Sequence, residues 1–137
     1  MKFKRLHGND IIHTIPEAEK IWQKQMTDIM IIVPASGNTI AKLASDIIDT
    51  PATMAVKSHL RNELPLVIAP STNNGLGANA QNIGALLNRT NHYFVPFRQE
   101  NPITKPRSPV FEKIGFYSFY MSKIKYLVIA CCGDELI

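Results

Sequence analysis

Cysteine is nearly missing from this chain: the 137 residues contain two, Cys131 and Cys132, side by side. Adjacent cysteines with no partner elsewhere supply neither a disulfide framework nor the CxxC spacing of zinc and redox sites, so they read as small core residues of a strand in a reducing cytoplasm. Long apolar runs are equally scarce. The two longest, around Ile29 to Val33 and Tyr126 to Cys132, fall far short of the roughly 20 residues needed to cross a bilayer, and no membrane span or membrane partner is expected. The basic start, Met1 to Gly8, is followed by no apolar stretch with a small-residue cleavage site, so no secretory leader is expected either.

Charge is sparse, at 19% of residues. The net charge of +4 and pI near 9.2 favour anionic partners, yet the cations are scattered from Lys2 to Lys125 rather than gathered into a stripe. Such scatter speaks against a nucleic-acid surface and for a small anionic ligand. Recognisable catalytic spacings are also lacking: no HExxH or GxSxG occurs, and His13, His59 and His92 stand alone, which makes them surface or structural histidines. No metal ligand set and no catalytic residue can be assigned.

What remains is a hydrophobic content of 45%, enough for one packed core, and a single soluble α/β domain over residues 1–137 is expected. Asp28 to Val33 is short, β-branched and apolar on both faces, as a central strand between two helical layers would be. After it, Ile40, Leu43, Ala44, Ile47 and Ile48 recur at helical spacing, with Ser36 or Asn38 as N-cap. Thr50-Pro51 predicts a second helix to about Arg61, and Glu17 and Glu19, after Pro16, read as first-turn acids of an earlier one.

Leu64 to Pro70 predicts another buried strand, followed by a helix presenting Leu76, Ala80, Ile83 and Leu87. His92 to Phe97 gives a third strand. Arg98 to Pro109, with three prolines and no periodicity, reads as an extended surface loop whose Lys105-Pro106-Arg107 lays positive charge near a cleft. A helix and a terminal strand, Tyr126 to Cys131, complete the pattern. Alternating strands and helices imply right-handed crossovers and a three-layer, Rossmann-like or flavodoxin-like, mainly parallel sheet.

Two junctions stand out. Ser36-Gly37-Asn38-Thr39 and Ser71-Thr72-Asn73, the latter running on to Asn79, each link a strand end to a helix start with hydroxyl, amide and glycine residues. Turn chemistry and helix capping alone account for either one. In parallel sheets, however, ligands bind beyond the carboxyl ends of the strands, and two such junctions on successive strands would open on one crevice. Unpaired N–H groups at a helix start suit an anionic or strongly hydrogen-bonding ligand.

These residues also carry a resemblance. Pro34-Ala35-Ser36-Gly37-Asn38-Thr39-Ile40-Ala41-Lys42-Leu43-Ala44 resembles the PASANT-type motif of the homo-oligomeric flavin-containing cysteine decarboxylases, and Asp49-Thr50-Pro51-Ala52-Thr53-Met54-Ala55 continues it. Within that superfamily the chain is most similar to the family of B-type dipicolinate synthase subunits, through Ala55 to Asn62, Ser71 to Asn79, Asn91 to Phe97 and Gln99-Glu100-Asn101-Pro102. The likeness covers residues 12–108, with a divergent tail over residues 110–137.

The resemblance implies an oxidoreductase-type synthase subunit. It would work with the dehydrogenase-like A-type subunit of dipicolinate synthase to make dipicolinate during sporulation, as part of a homo-oligomer. It further implies FMN, held by Ser36, Gly37, Asn38 and Thr39, with Ser71, Thr72 and Asn73 lining the flavin and substrate side. Family members begin with a further strand, phosphate loop and helix, for which no equivalent precedes Met1. The expectation is therefore a sheet incomplete at its N-terminus, with an exposed apolar edge that drives assembly or aggregation. A partner subunit that binds no flavin, another FMN-dependent decarboxylase-like protein and an unrelated flavodoxin-like domain remain alternative readings.

Overall fold

The structure, a computed structural model, describes residues 12–111 and 126–129. Its first helix, α1 (Ile15–Lys24), starts where Thr14 accepts a hydrogen bond from the backbone of Glu17 while the Glu17 carboxylate accepts from the Thr14 and His13 N–H groups. This reciprocal cap, with Pro16 in the first turn, satisfies donors that the helix leaves open. The same hydrogen bonds, led by that from the His13 backbone, hold the Glu17 carboxyl below its ordinary pKa.

Strand β1 (Ile29–Ala35) is central, flanked by β2 (Leu66–Pro70) on one side and β6 (Tyr126–Ile129) on the other. With β3 (His92–Phe94) outside β2, the sheet order is β3-β2-β1-β6 and every pairing is parallel. The α/β class and the parallel sheet agree with the sequence reading. The terminal strand expected from Tyr126 is present as β6, which pairs Ile29 with Tyr126 through Ile32 with Ile129 on the side of β1 away from β2. Cys131 and Cys132, and the helix expected after Phe111, lie outside the described residues.

Helix α2 (Gly37–Ala44) ends a turn before the apolar spacing predicts. Asp46 takes a left-handed conformation (φ 54°), its N–H bonds to the Leu43 carbonyl, and the Ile47 N–H bonds to the Lys42 carbonyl. That is a Schellman stop built on aspartate instead of glycine, and it turns Ile47 out to solvent. Arg89 reinforces the stop by donating to the Leu43 and Ala44 carbonyls at 3.0 and 2.7 Å.

Helix α3 (Pro51–Leu60) begins at Thr50 as expected, where Thr50 and Thr53 cap one another. Helix α4 (Ala80–Leu87) starts later than predicted, so Leu76 lies in the preceding loop and Leu86, not Leu87, joins Ile83 in the core. Helices α1 and α3 pack together, as do α2 and α4. One continuous core joins Ile21, Met30, Ile32, Ile40, Val56, Leu66, Ile68 and Leu86. On β1 the alternation is uneven: Met30 and Ile32 are sealed while Ile29, Ile31 and Val33 are half-buried.

The expected surface loop is a β-hairpin, β4 (Phe97–Asn101) with β5 (Lys105–Phe111), antiparallel and separate from the main sheet. A two-stranded ribbon offers edge positions where proline costs no ladder hydrogen bond, which is how Pro106 and Pro109 are accommodated. Asn101 accepts from the N–H groups of Ile103 and Thr104 and so closes the turn.

Candidate functional site

Parallel pairing of β1 with β2 brings both polar junctions to the same rim. The Ser71 N–H donates to the Ala35 carbonyl at 2.9 Å, which ties the end of one strand to the end of the next. A Cβ on Gly37 would sit 2.6 Å from both Asn79 Nδ2 and Thr72 Oγ1, so the first turn of α2 rests directly on the second junction and leaves room only for glycine. The structure therefore brings Ser36, Gly37, Asn38 and Thr39 together with Ser71, Thr72 and Asn73.

Within the first junction, Ser36 caps α2: its Oγ accepts from the Thr39 N–H at 3.2 Å and lies 3.0 Å from Thr39 Oγ1. The Asn38 side chain is exposed and the rest of the segment half-buried. Gly37 and Asn38, at the start of α2, have no carbonyl four residues back within the helix, and their N–H groups give the rim a positive dipole end. These donors suit an anionic or strongly hydrogen-bonding ligand.

The second junction is a compact glycine-containing loop. Thr72 Oγ1 donates to Asn74 Oδ1 at 3.0 Å, and the Gly77 and Asn79 N–H groups both bond to the Asn74 carbonyl, at 2.9 and 3.1 Å. The hairpin buttresses it: Leu76 N–H donates to the Arg107 carbonyl at 2.9 Å, and a Cβ on Gly75 would lie 2.5 Å from Pro109. Of the basic pair flagged in the sequence, Arg107 runs past Gly77, whereas Lys105 is paired with Glu100 at 2.7 Å in an exposed ion pair. The support from β5 was not visible in a segment read as loop.

Two of the described histidines, His59 and His92, lie away from this rim. His59 is fully buried, with Nε2 2.8 Å from the Pro65 carbonyl and Nδ1 2.8 Å from Thr27 Oγ1. Nε2 must carry the proton to donate to a carbonyl, so Nδ1 accepts from the threonine hydroxyl. Burial is the main cause of a pKa below the ordinary histidine value, against opposing contributions from Pro65 and Asp28. His92 Nδ1 faces the Thr90 carbonyl at 2.8 Å, a local turn contact. Among the described residues no cluster of three metal-ligating side chains occurs, and no helix is long and apolar enough to cross a membrane.

A shallow depression at the opposite rim is lined by Lys57, Arg61, Arg89 and His92 beside Ile47 and Leu60. Its two arginines are engaged: Arg89 caps α2, and Arg61 stacks over the Trp22 ring at 4.8 Å.

A parallel α/β sheet with two polar, glycine-containing junctions at its carboxyl edge is a Rossmann-like architecture, and here the class is a definite one. The flavoprotein family's sequence profile matches residues 1–114, and the chain belongs to that family. More particularly, it is similar to the B-type subunit of dipicolinate synthase from Bacillus subtilis (strain 168), with 40% identity over 109 residues, 80% of this chain and 54% of the relative. The solved structure of the B-type dipicolinate synthase subunit from Bacillus halodurans matches with a TM-score of 0.73 and 41% identity, covering 75% of this chain and 53% of that one.

A PPC decarboxylase mutant solved with pantothenoylaminoethenethiol shares the fold, with a TM-score of 0.52 and 20% identity over 69% of this chain and 52% of that one. The chain thus spans about half the length of the dipicolinate synthase subunits it matches.

Proposed function

We propose that this chain is a flavin-binding subunit of the dipicolinate synthase B type, working with a dehydrogenase-like A-type partner to produce dipicolinate during sporulation. The observation that carries the reading is the contact of the two junctions at one rim, Gly37 against Thr72 and Asn79, in a chain 40% identical to a B-type dipicolinate synthase subunit. FMN fits the donor set: Ser36, Gly37, Asn38 and Thr39 would hold it by backbone N–H groups and short hydroxyls, and Ser71, Thr72 and Asn73 would line the flavin and substrate side. When bound, the isoalloxazine ring supplies the redox chemistry, and the chain's own groups bind and orient.

Neither His59, buried between Thr27 and Pro65, nor His92, which faces its own turn, is placed to transfer a proton at this rim. The test is co-expression with an A-type dipicolinate synthase partner and affinity capture on that partner. A complex carrying the visible absorbance of oxidised flavin supports the reading. A colourless chain that is not retained refutes it.

A further inference from the structure

We infer that Asn82, Asn79 and Asn74 form a directed amide relay whose outer end, Asn74 Nδ2, is a fixed hydrogen-bond donor for an anionic oxygen of the ligand. This rests on the reading of the carboxyl rim as a ligand site, and it adds a binding residue, Asn74, and two positioning residues. Asn82 Nδ2 donates to Asn79 Oδ1 at 2.7 Å, and Asn79 Nδ2 donates to Asn74 Oδ1 at 3.0 Å. Asn74 Oδ1 also accepts the Thr72 hydroxyl proton at 3.0 Å, so both of its lone pairs are taken. The Thr72 hydroxyl oxygen in turn accepts from the Asn74 N–H at 3.5 Å, so the threonine closes the loop back on the same residue.

With its oxygen turned inward, the exposed Asn74 side chain presents Nδ2 to solvent, and no group among the described residues accepts from it. Amides joined head to tail polarise one another, which strengthens the last donor. The sign suits a carboxylate or a phosphate.

Asn79 shows what this arrangement costs. It stands at the N-cap of α4, where an asparagine side chain ordinarily accepts from the first turn, yet it makes no capping hydrogen bond. Instead it is buried, and its Nδ2 occupies the space beside Gly37. A residue type suited to capping is thus diverted to join the two junctions and to aim Asn74, a local sacrifice of the kind that marks functional positions.

Asn74→Asp provides the decisive variant. The carboxylate keeps an inward oxygen for Thr72 and Asn79 and replaces only the outward donor with a negative acceptor, on an exposed loop where folding is little affected. Binding of FMN, riboflavin and dipicolinate to wild type and variant is measured by calorimetry, with exchange of the asparagine side-chain NH2 protons followed by NMR. Removing a hydrogen bond to a charged group predicts a loss of roughly tenfold to a hundredfold in affinity. If the partner is the cofactor phosphate, FMN weakens and riboflavin does not. If it is a substrate carboxylate, dipicolinate weakens and both flavins bind as before.

Asn82→Ala, at the far end of the relay from the ligand, gives a smaller loss in the same arm. In the free protein the Asn79 NH2 protons exchange slowly and those of Asn74 rapidly. An Asn74→Asp protein that binds both anions as tightly as wild type overturns the relay, as does a wild type that binds neither anion. If neither flavin binds but dipicolinate binding depends on Asn74, the relay stands and the flavin reading falls.

Discussion

Replacing His59 by leucine should destabilise the protein and remove part of its dependence on pH. The ring is sealed from solvent and joins three segments: α3, which carries it, the turn before β1 through Thr27, and the entry to β2 through Pro65. Leucine fills most of the volume but leaves the buried Thr27 hydroxyl without a partner, whereas the Pro65 carbonyl still accepts from the Met30 N–H at 3.2 Å. One stranded hydroxyl and one partly compensated carbonyl amount to about 2 to 4 kcal/mol.

The pH effect has a definite sign. Burial lowers the pKa of His59 in the folded protein below 6.5, so the unfolded chain takes up the proton more readily. The contribution of His59 to stability is therefore complete above about pH 7 and declines as the pH falls through the unfolded value, with a limiting slope of about 1.4 kcal/mol per pH unit. Urea unfolding followed by the fluorescence of Trp22, the single tryptophan, measures both quantities. The gap between wild type and His59→Leu should be widest near about pH 8 and should narrow toward about pH 5. A gap that stays constant across that range, or a variant as stable as wild type, would refute the assignment of a buried neutral histidine.

Three further substitutions follow from close contacts. Gly37→Ala places a methyl group 2.6 Å from Thr72 Oγ1 and Asn79 Nδ2, and the overpacking should cost about 1 to 3 kcal/mol and abolish ligand binding at the rim, read by melting and by flavin titration. Gly75→Ala drives against Pro109 at 2.5 Å. It should loosen the β4–β5 hairpin, seen as faster hydrogen exchange over residues 97–111 with the parallel sheet unchanged. Arg89→Ala withdraws both donors from the Leu43 and Ala44 carbonyls and should lower stability by about 1 kcal/mol, with fraying confined to the end of α2 in exchange measurements.

Much of the sheet was legible because buried strands announce themselves as short apolar runs between polar turns. Thr50-Pro51 likewise fixed the start of α3, since the capping hydroxyl and the proline both belong to a helix beginning. The pairing of the two junctions could be anticipated from topology alone: successive parallel strands put their carboxyl ends on one rim. The end of α2 was not legible, because Asp46 takes the left-handed conformation usually left to glycine and the apolar spacing runs on past it.

Leu86 and Leu87 both suit a helix face that starts from Ile83, and only the orientation of α4 on the core selects the first. The hairpin hid behind its prolines, which signal loops in one dimension and edge strands in three. His59 looked isolated because Thr27 is distant in sequence and Pro65 offers only a backbone carbonyl. The amide relay was obscured for a similar reason: Asn74, Asn79 and Asn82 have no meaning as a group until the loop and α4 fold together.

Backbone amide shift mapping during FMN titration probes the two-junction site most directly. A flavin held at this rim requires saturable changes concentrated at Ser36 to Thr39 and Ser71 to Asn79. Changes clustered instead around Lys57, Arg61 and His92, or no saturable change at all, would contradict it.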